Sequence, residues 1–76
     1  MSKPRYNVGT LIAADNDEEN PKPIIGWIYD VQCSKIYPDM FVYLVEWADG
    51  VTDDYTEKHI ETYIKLYKKL KRRKNP

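Results

Sequence analysis

Two sets of residues in this chain could do chemistry, and both would do it by binding. The first is aromatic and acidic. Trp27, Trp47 and Asp49 belong to residues 1–63, where five basic side chains stand against twelve acidic ones, a net charge of −7. An acidic surface speeds encounter with cationic partners, and Trp and Tyr are the side chains that dominate binding hot spots. The second set is basic. Lys65, Lys68, Lys69, Lys71, Arg72, Arg73 and Lys74 fall in residues 64–76, which hold no acid and carry +7. Such a run complements the negative end of a helix, or contacts anions such as nucleic-acid phosphates. The two parts cancel to a net charge of zero.

Other chemistries lack their residues. There is no Gly-rich phosphate loop, no His-Glu-x-x-His and no nucleophile elbow, and His59 has no second histidine to work with, so no enzyme is expected. Asp53 and Asp54 are adjacent and would alternate across a strand rather than converge as a catalytic pair. One Cys, Cys33, and one His cannot build a tetrahedral zinc site or an internal disulfide. The acidic segment that starts at Asp15 lacks the glycine and the closing glutamate of a calcium loop. No metal and no cofactor are therefore expected. A lone thiol, no signal-peptide pattern and no apolar run near the ~18 residues of a membrane span point to an intracellular, cytoplasmic protein with no membrane partner.

These residues need elements to hold them. A chain of 76 residues is one domain, with a small core and no room for a deep enclosed site. Its seven Tyr, two Trp and one Phe must serve both that core and any recognition surface. Strands are expected over residues 8–14, with Gly9 as a bend, 24–31, with Gly26 at a point of curvature, 41–47 and 51–55. In the third strand Phe41, Tyr43, Val45 and Trp47 share one face, and Val42, Leu44 and Glu46 share the other. Asp49 and Gly50 mark a tight hairpin turn. A helix over about 57–70, capped by Thr56, would bury Ile60, Tyr63, Ile64, Tyr67 and Leu70 and pair Glu61 with Lys65. It needs a surface to dock on, and the open end of the sheet offers one. Residues 71–76 then form a basic tail beyond a core of 6–70.

The order of motifs resembles the small SH3-like barrels of the Tudor and chromodomain group. It runs Val8-Gly9-Thr10-Leu11-Ile12, then Gly26-Trp27-Ile28-Tyr29-Asp30-Val31, then Tyr43-Leu44-Val45-Glu46-Trp47-Ala48-Asp49-Gly50, then Asp53-Asp54-Tyr55-Thr56-Glu57. Hairpins of this kind also occur in transcription-factor KOW modules, archaeal DNA-binding barrels and small phage proteins. The resemblance implies a mainly β fold, with four or five curled antiparallel strands closed by a C-terminal α-helix. It also implies a cage of aromatic rings edged by acids, which holds a methylated Lys or Arg by cation–π attraction. Trp47 matches the cage Trp, Trp27 and Tyr29 are its companions, Asp49, Asp53 and Asp54 are the rim, and Tyr6 stands in for an aromatic before the first strand. Tyr55 matches a position that is structural in chromodomains.

The expected function is a non-enzymatic interaction module that binds a basic protein or peptide on the acidic, aromatic surface. The alternative is a nucleic-acid binder that contacts phosphates through the basic helix end and tail. A third reading is a small structural or assembly protein of the kind viruses carry. Self-association, the tail of one copy on the acidic body of another, is a further expectation.

Overall fold

A computed structural model describes residues 3–15, 22–37 and 39–73, with the backbone alone at Arg73. The Asp17, Glu18 and Glu19 of the acidic segment, and Lys74, lie outside the described residues. Four strands, β1 (Leu11–Asp15), β2 (Pro23–Cys33), β3 (Phe41–Trp47) and β4 (Thr52–Thr56), precede the helix α1 (Glu57–Arg73). The strands pair in chain order as one antiparallel sheet. The sheet is unclosed, with β1 and β4 as its two edges. The helix packs chiefly on β1 and also meets β4 and β3, so it occupies the opening between the edges. No helix among the described residues is long and apolar enough to cross a membrane.

Strand alternation builds the core. On β3, Tyr43, Val45 and Trp47 are buried, while Val42, Leu44 and Glu46 are half-buried on the outer face. Ile12 of β1, Ile28 of β2 and Ile60 of α1 join them in one cluster, with Tyr63 and Ile64 packed against it. Ala13 is fully buried as well as its neighbour Ile12, so β1 is covered on both sides.

Three boundaries differ from the sequence expectation by two residues or more, each for a local reason. β1 starts at Leu11, not at residue 8. Gly9 takes a φ of +94°, and the Thr10 N–H and hydroxyl both donate to the Asn7 carbonyl at 3.1 and 2.7 Å. That turn leaves Val8 60% exposed. β2 runs to Cys33 because a bulge takes up its length: the register slips between Ile28 and Asp30, so that Tyr29 and Asp30 together oppose Leu44. The irregularity in the β2 pairing is therefore at Tyr29. The helix continues through Lys71, Arg72 and Arg73, which are therefore helical and not tail. Lys and Arg are good helix formers and are favoured at a helix C-terminus.

The hairpin is looser than a two-residue turn. The Trp47 N–H donates to the Val51 carbonyl at 2.9 Å, which leaves Ala48, Asp49 and Gly50 as a three-residue loop. Gly50, at a φ of +89°, supplies the left-handed residue such loops need. Asp49 Oδ1 accepts the Val51 N–H at 3.1 Å and tightens the loop. At the helix start the Thr56 hydroxyl meets His59 Nδ1 at 3.2 Å, and Glu61 pairs with Lys65 at 3.2 Å one turn on.

Tyr43 ties the N-terminal segment to the sheet. Its hydroxyl accepts the Arg5 N–H at 3.0 Å, and the Tyr6 ring packs on it at 5.7 Å. Burial raises the Tyr43 phenol above its ordinary value, against the Arg5 and Tyr6 N–H groups, which lower it. Burial likewise raises Tyr55. Above about pH 10 the unfolded chain gives up phenolic protons that the folded chain still holds, so stability is intact below that pH and falls above it. Urea titrations from about pH 8 to pH 11 will show a flat midpoint that declines above about pH 10, with a shallower decline in Tyr43→Phe. An identical decline in both proteins contradicts this assignment.

Candidate functional site

At the hairpin end of the sheet, β3, β4 and α1 bring an aromatic cluster together. Trp47 lies on the inner face of β3. The β4 register sets Asp53 opposite Val45 and Tyr55 opposite Tyr43, which puts Asp53 and Tyr55 on that same face. Tyr63 arrives from the second turn of α1. The three rings meet edge to face: Trp47 and Tyr55 at 6.0 Å and 82°, Trp47 and Tyr63 at 5.5 Å and 80°, Tyr55 and Tyr63 at 5.2 Å and 87°. The Trp47 indole N–H donates to the Tyr55 hydroxyl at 3.2 Å. The exposed His59 ring stacks against Tyr63 at 6.4 Å and 28° and lengthens this aromatic wall.

Gly26 makes room for the indole. It pairs with Trp47 across β2 and β3, and a Cβ on it would lie 2.6 Å from Trp47 Cε3 and 3.0 Å from the Glu46 carbonyl oxygen. Close approach is what this position requires.

The rings border an open cleft of about 280 Å³. Asp15 from the end of β1, Asp49 from the hairpin loop and Asp53 from β4 also line it, together with Ala14, Ile24 and Val51, and among the described residues no lysine or arginine does. Among the described residues no three His, Cys, Asp or Glu side chains stand close enough to hold a metal ion. The cleft thus offers separated negative charges and ring surface. Tyr55 and Tyr63 are half-buried, whereas Trp47 is 6% exposed and forms the back wall. The Asp53 charge adds to burial in raising the Tyr55 phenol, and the Trp47 N–H opposes them.

The six residues singled out from the sequence divide between two faces. Trp47, Asp49 and Asp53 meet at the cleft. Trp27 pairs with Leu11 and Glu46, and Asp54 with Leu44, all on the outer face, while Tyr29 sits in the bulge. Trp27 and Tyr29 therefore do not meet Trp47, because a sheet lies between them. Trp27 and Tyr29 are 36% and 43% exposed. Tyr6 packs on Tyr43 instead of joining Trp47. Sequence reasoning left out Asp15, and read Tyr55 and Tyr63 as structural. For Tyr55 a signal existed in its two-residue spacing from Asp53. For Tyr63 and Asp15 none did, since both reach the cleft only through tertiary packing.

The cations lie along α1. Lys65, Lys68, Lys69, Lys71 and Arg72 are exposed, and the Lys65–Glu61 contact is the one ion pair among the described residues. Lys71 borders a second cleft of about 220 Å³, with Ile25, Tyr67 and Leu70. Compared with known proteins, the chain matches no family model, no curated protein and no solved structure.

Proposed function

We propose that the protein is a non-enzymatic interaction module that takes a basic peptide or protein segment at the acid-lined cleft. In this reading the fold is a small SH3-like barrel of the Tudor and chromodomain kind, in which α1 fills the opening between β1 and β4. One observation carries it: Asp15, Asp49 and Asp53, from three separate elements, line the same cleft as three aromatic rings, and among the described residues no lysine or arginine lines it. Separated carboxylates suit several spaced cations better than one compact ion. Lys or Arg side chains would gain Coulomb attraction from the aspartates and cation–π attraction from Tyr55 and Tyr63. The exposed free thiol of Cys33 suits the reducing interior of a cell.

The test is an NMR titration of the labelled protein with a Lys- and Arg-rich peptide. Shifts are expected at the Trp47 indole, at residues 49–53 and at Tyr63, and Asp49→Lys with Asp53→Lys should weaken binding roughly 10-fold or more. Duplex DNA run in parallel reads the alternative. Shifts confined to the end of α1 with DNA, and none with the peptide, would transfer the function to the helix.

A further inference from the structure

The chain is elongated, with extents of 44 × 23 × 19 Å and a Cα radius of gyration of 13.3 Å. A compact chain of this length has about 11.4 Å. A continuous helix also cannot bend its own last turns back to a point further up its own length. The cleft is such a point, because Tyr63 of α1 lines it. Acidic cleft and basic end are nonetheless neighbours. Tyr63 shares the first cleft with Ile24, and Tyr67 and Leu70, one and two turns on, share the second with Ile25. From Tyr63 to Leu70 is about 10 Å of helix.

A partner for this arrangement must present a cationic rod to the cleft and carboxylates to the rod, and the chain itself presents both. We propose that two copies associate reciprocally, the basic stretch 68–72 of each α1 lying at the acidic cleft of the other. Both features lie at the same end of the molecule, so one pair of copies satisfies both contacts and closes on itself about a two-fold axis. Features at opposite ends would instead propagate a filament. With a formal net charge of +0 and a pI near 6.6, no overall repulsion opposes the approach. The cleft formed by Ile25, Tyr67 and Leu70, which Lys71 borders, adds apolar surface beside the basic stretch. This inference rests on the reading of the first cleft as a receptor for cations.

Sedimentation equilibrium on the intact chain tests it without any substitution. At about 20 mM salt the mass should rise with concentration to a plateau at twice the 9.0 kDa of one chain, and at about 500 mM it should return to one chain as screening weakens the contacts. Two charge-reversed proteins sharpen the result. Asp49→Lys with Asp53→Lys, and Lys68→Glu with Lys69→Glu and Lys71→Glu, should each be monomeric alone. Mixed in equal amounts they should restore the dimer, because the basic cleft of one meets the acidic rod of the other. A wild-type monomer at every concentration in low salt overturns the proposal, as does mass growth past two copies. A monomer that still binds the basic peptide at Trp47 and Asp49 removes only the dimer and leaves the cleft reading in place. A dimer that survives Asp49→Lys with Asp53→Lys removes the cleft from the interface.

Discussion

Replacing Trp47 with alanine is expected to cost about 3–5 kcal/mol of stability, the range for removing a large buried aromatic. A chain of 76 residues has roughly 4–11 kcal/mol to lose, so the variant should give up a large part of its stability. The size of the effect comes from how much converges on one side chain. The indole is edge-packed on Tyr55 and Tyr63, lies on the bare backbone of Gly26, and satisfies the Tyr55 hydroxyl with its N–H. Its removal leaves a void bordered by three elements and a half-buried phenol without its donor. Urea unfolding followed by circular dichroism measures the loss. A change under about 1 kcal/mol would mean that these contacts do not hold the sheet to the helix.

The second large effect comes from the smallest substitution. Gly26→Ala should destabilise the fold by about 1–3 kcal/mol, because the added methyl falls inside the contact distance of both the indole and the Glu46 carbonyl. The carbonyl belongs to the β3 ladder and the indole is held between two tyrosines, so neither yields freely. In an ordinary strand position the same change would be neutral or favourable, since Gly loses more conformational freedom on folding than Ala. The cause is therefore testable by a double-mutant cycle in a background that stays folded. Trp47→Phe removes the fused ring that carries Cε3, and with it Gly26→Ala should cost at least about 1 kcal/mol less. Additive effects would show that something other than the indole makes Gly26 necessary.

The contrast between these two residues shows what the sequence could convey. The alternation of Tyr43, Val45 and Trp47, the Asp49 and Gly50 turn signal and the Ile60, Tyr63, Ile64 stripe are local patterns, and each predicted its element. Trp27 and Trp47 are a different matter. Which face each occupies depends on the pairing of Gly26 with Trp47, and no local pattern in either strand reveals that register. Gly26 read as a bend, because a glycine required by a close neighbour looks the same in sequence as one required by curvature. The actual irregularity, at Tyr29, has no glycine to announce it. Asp15 ends its strand with nothing to distinguish it from a solvated loop acid, and only the fold brings it near Asp49 and Asp53. Residues 71–73 were separable from the helix only by their charge, and charge does not end a helix.

The packing of α1 chiefly on β1 has a consequence for how the chain folds. The first strand takes its principal cover from the last element, across some forty residues of intervening chain. The meander of β2, β3 and β4 can form from near neighbours in sequence, but β1 is fully covered only once α1 is in place. That gives the final assembly a high contact order and a loop-closure cost borne before its reward. On the ribosome the N-terminal strand leaves the tunnel first and is secured last, so the nascent chain keeps an uncovered sheet edge until the helix emerges.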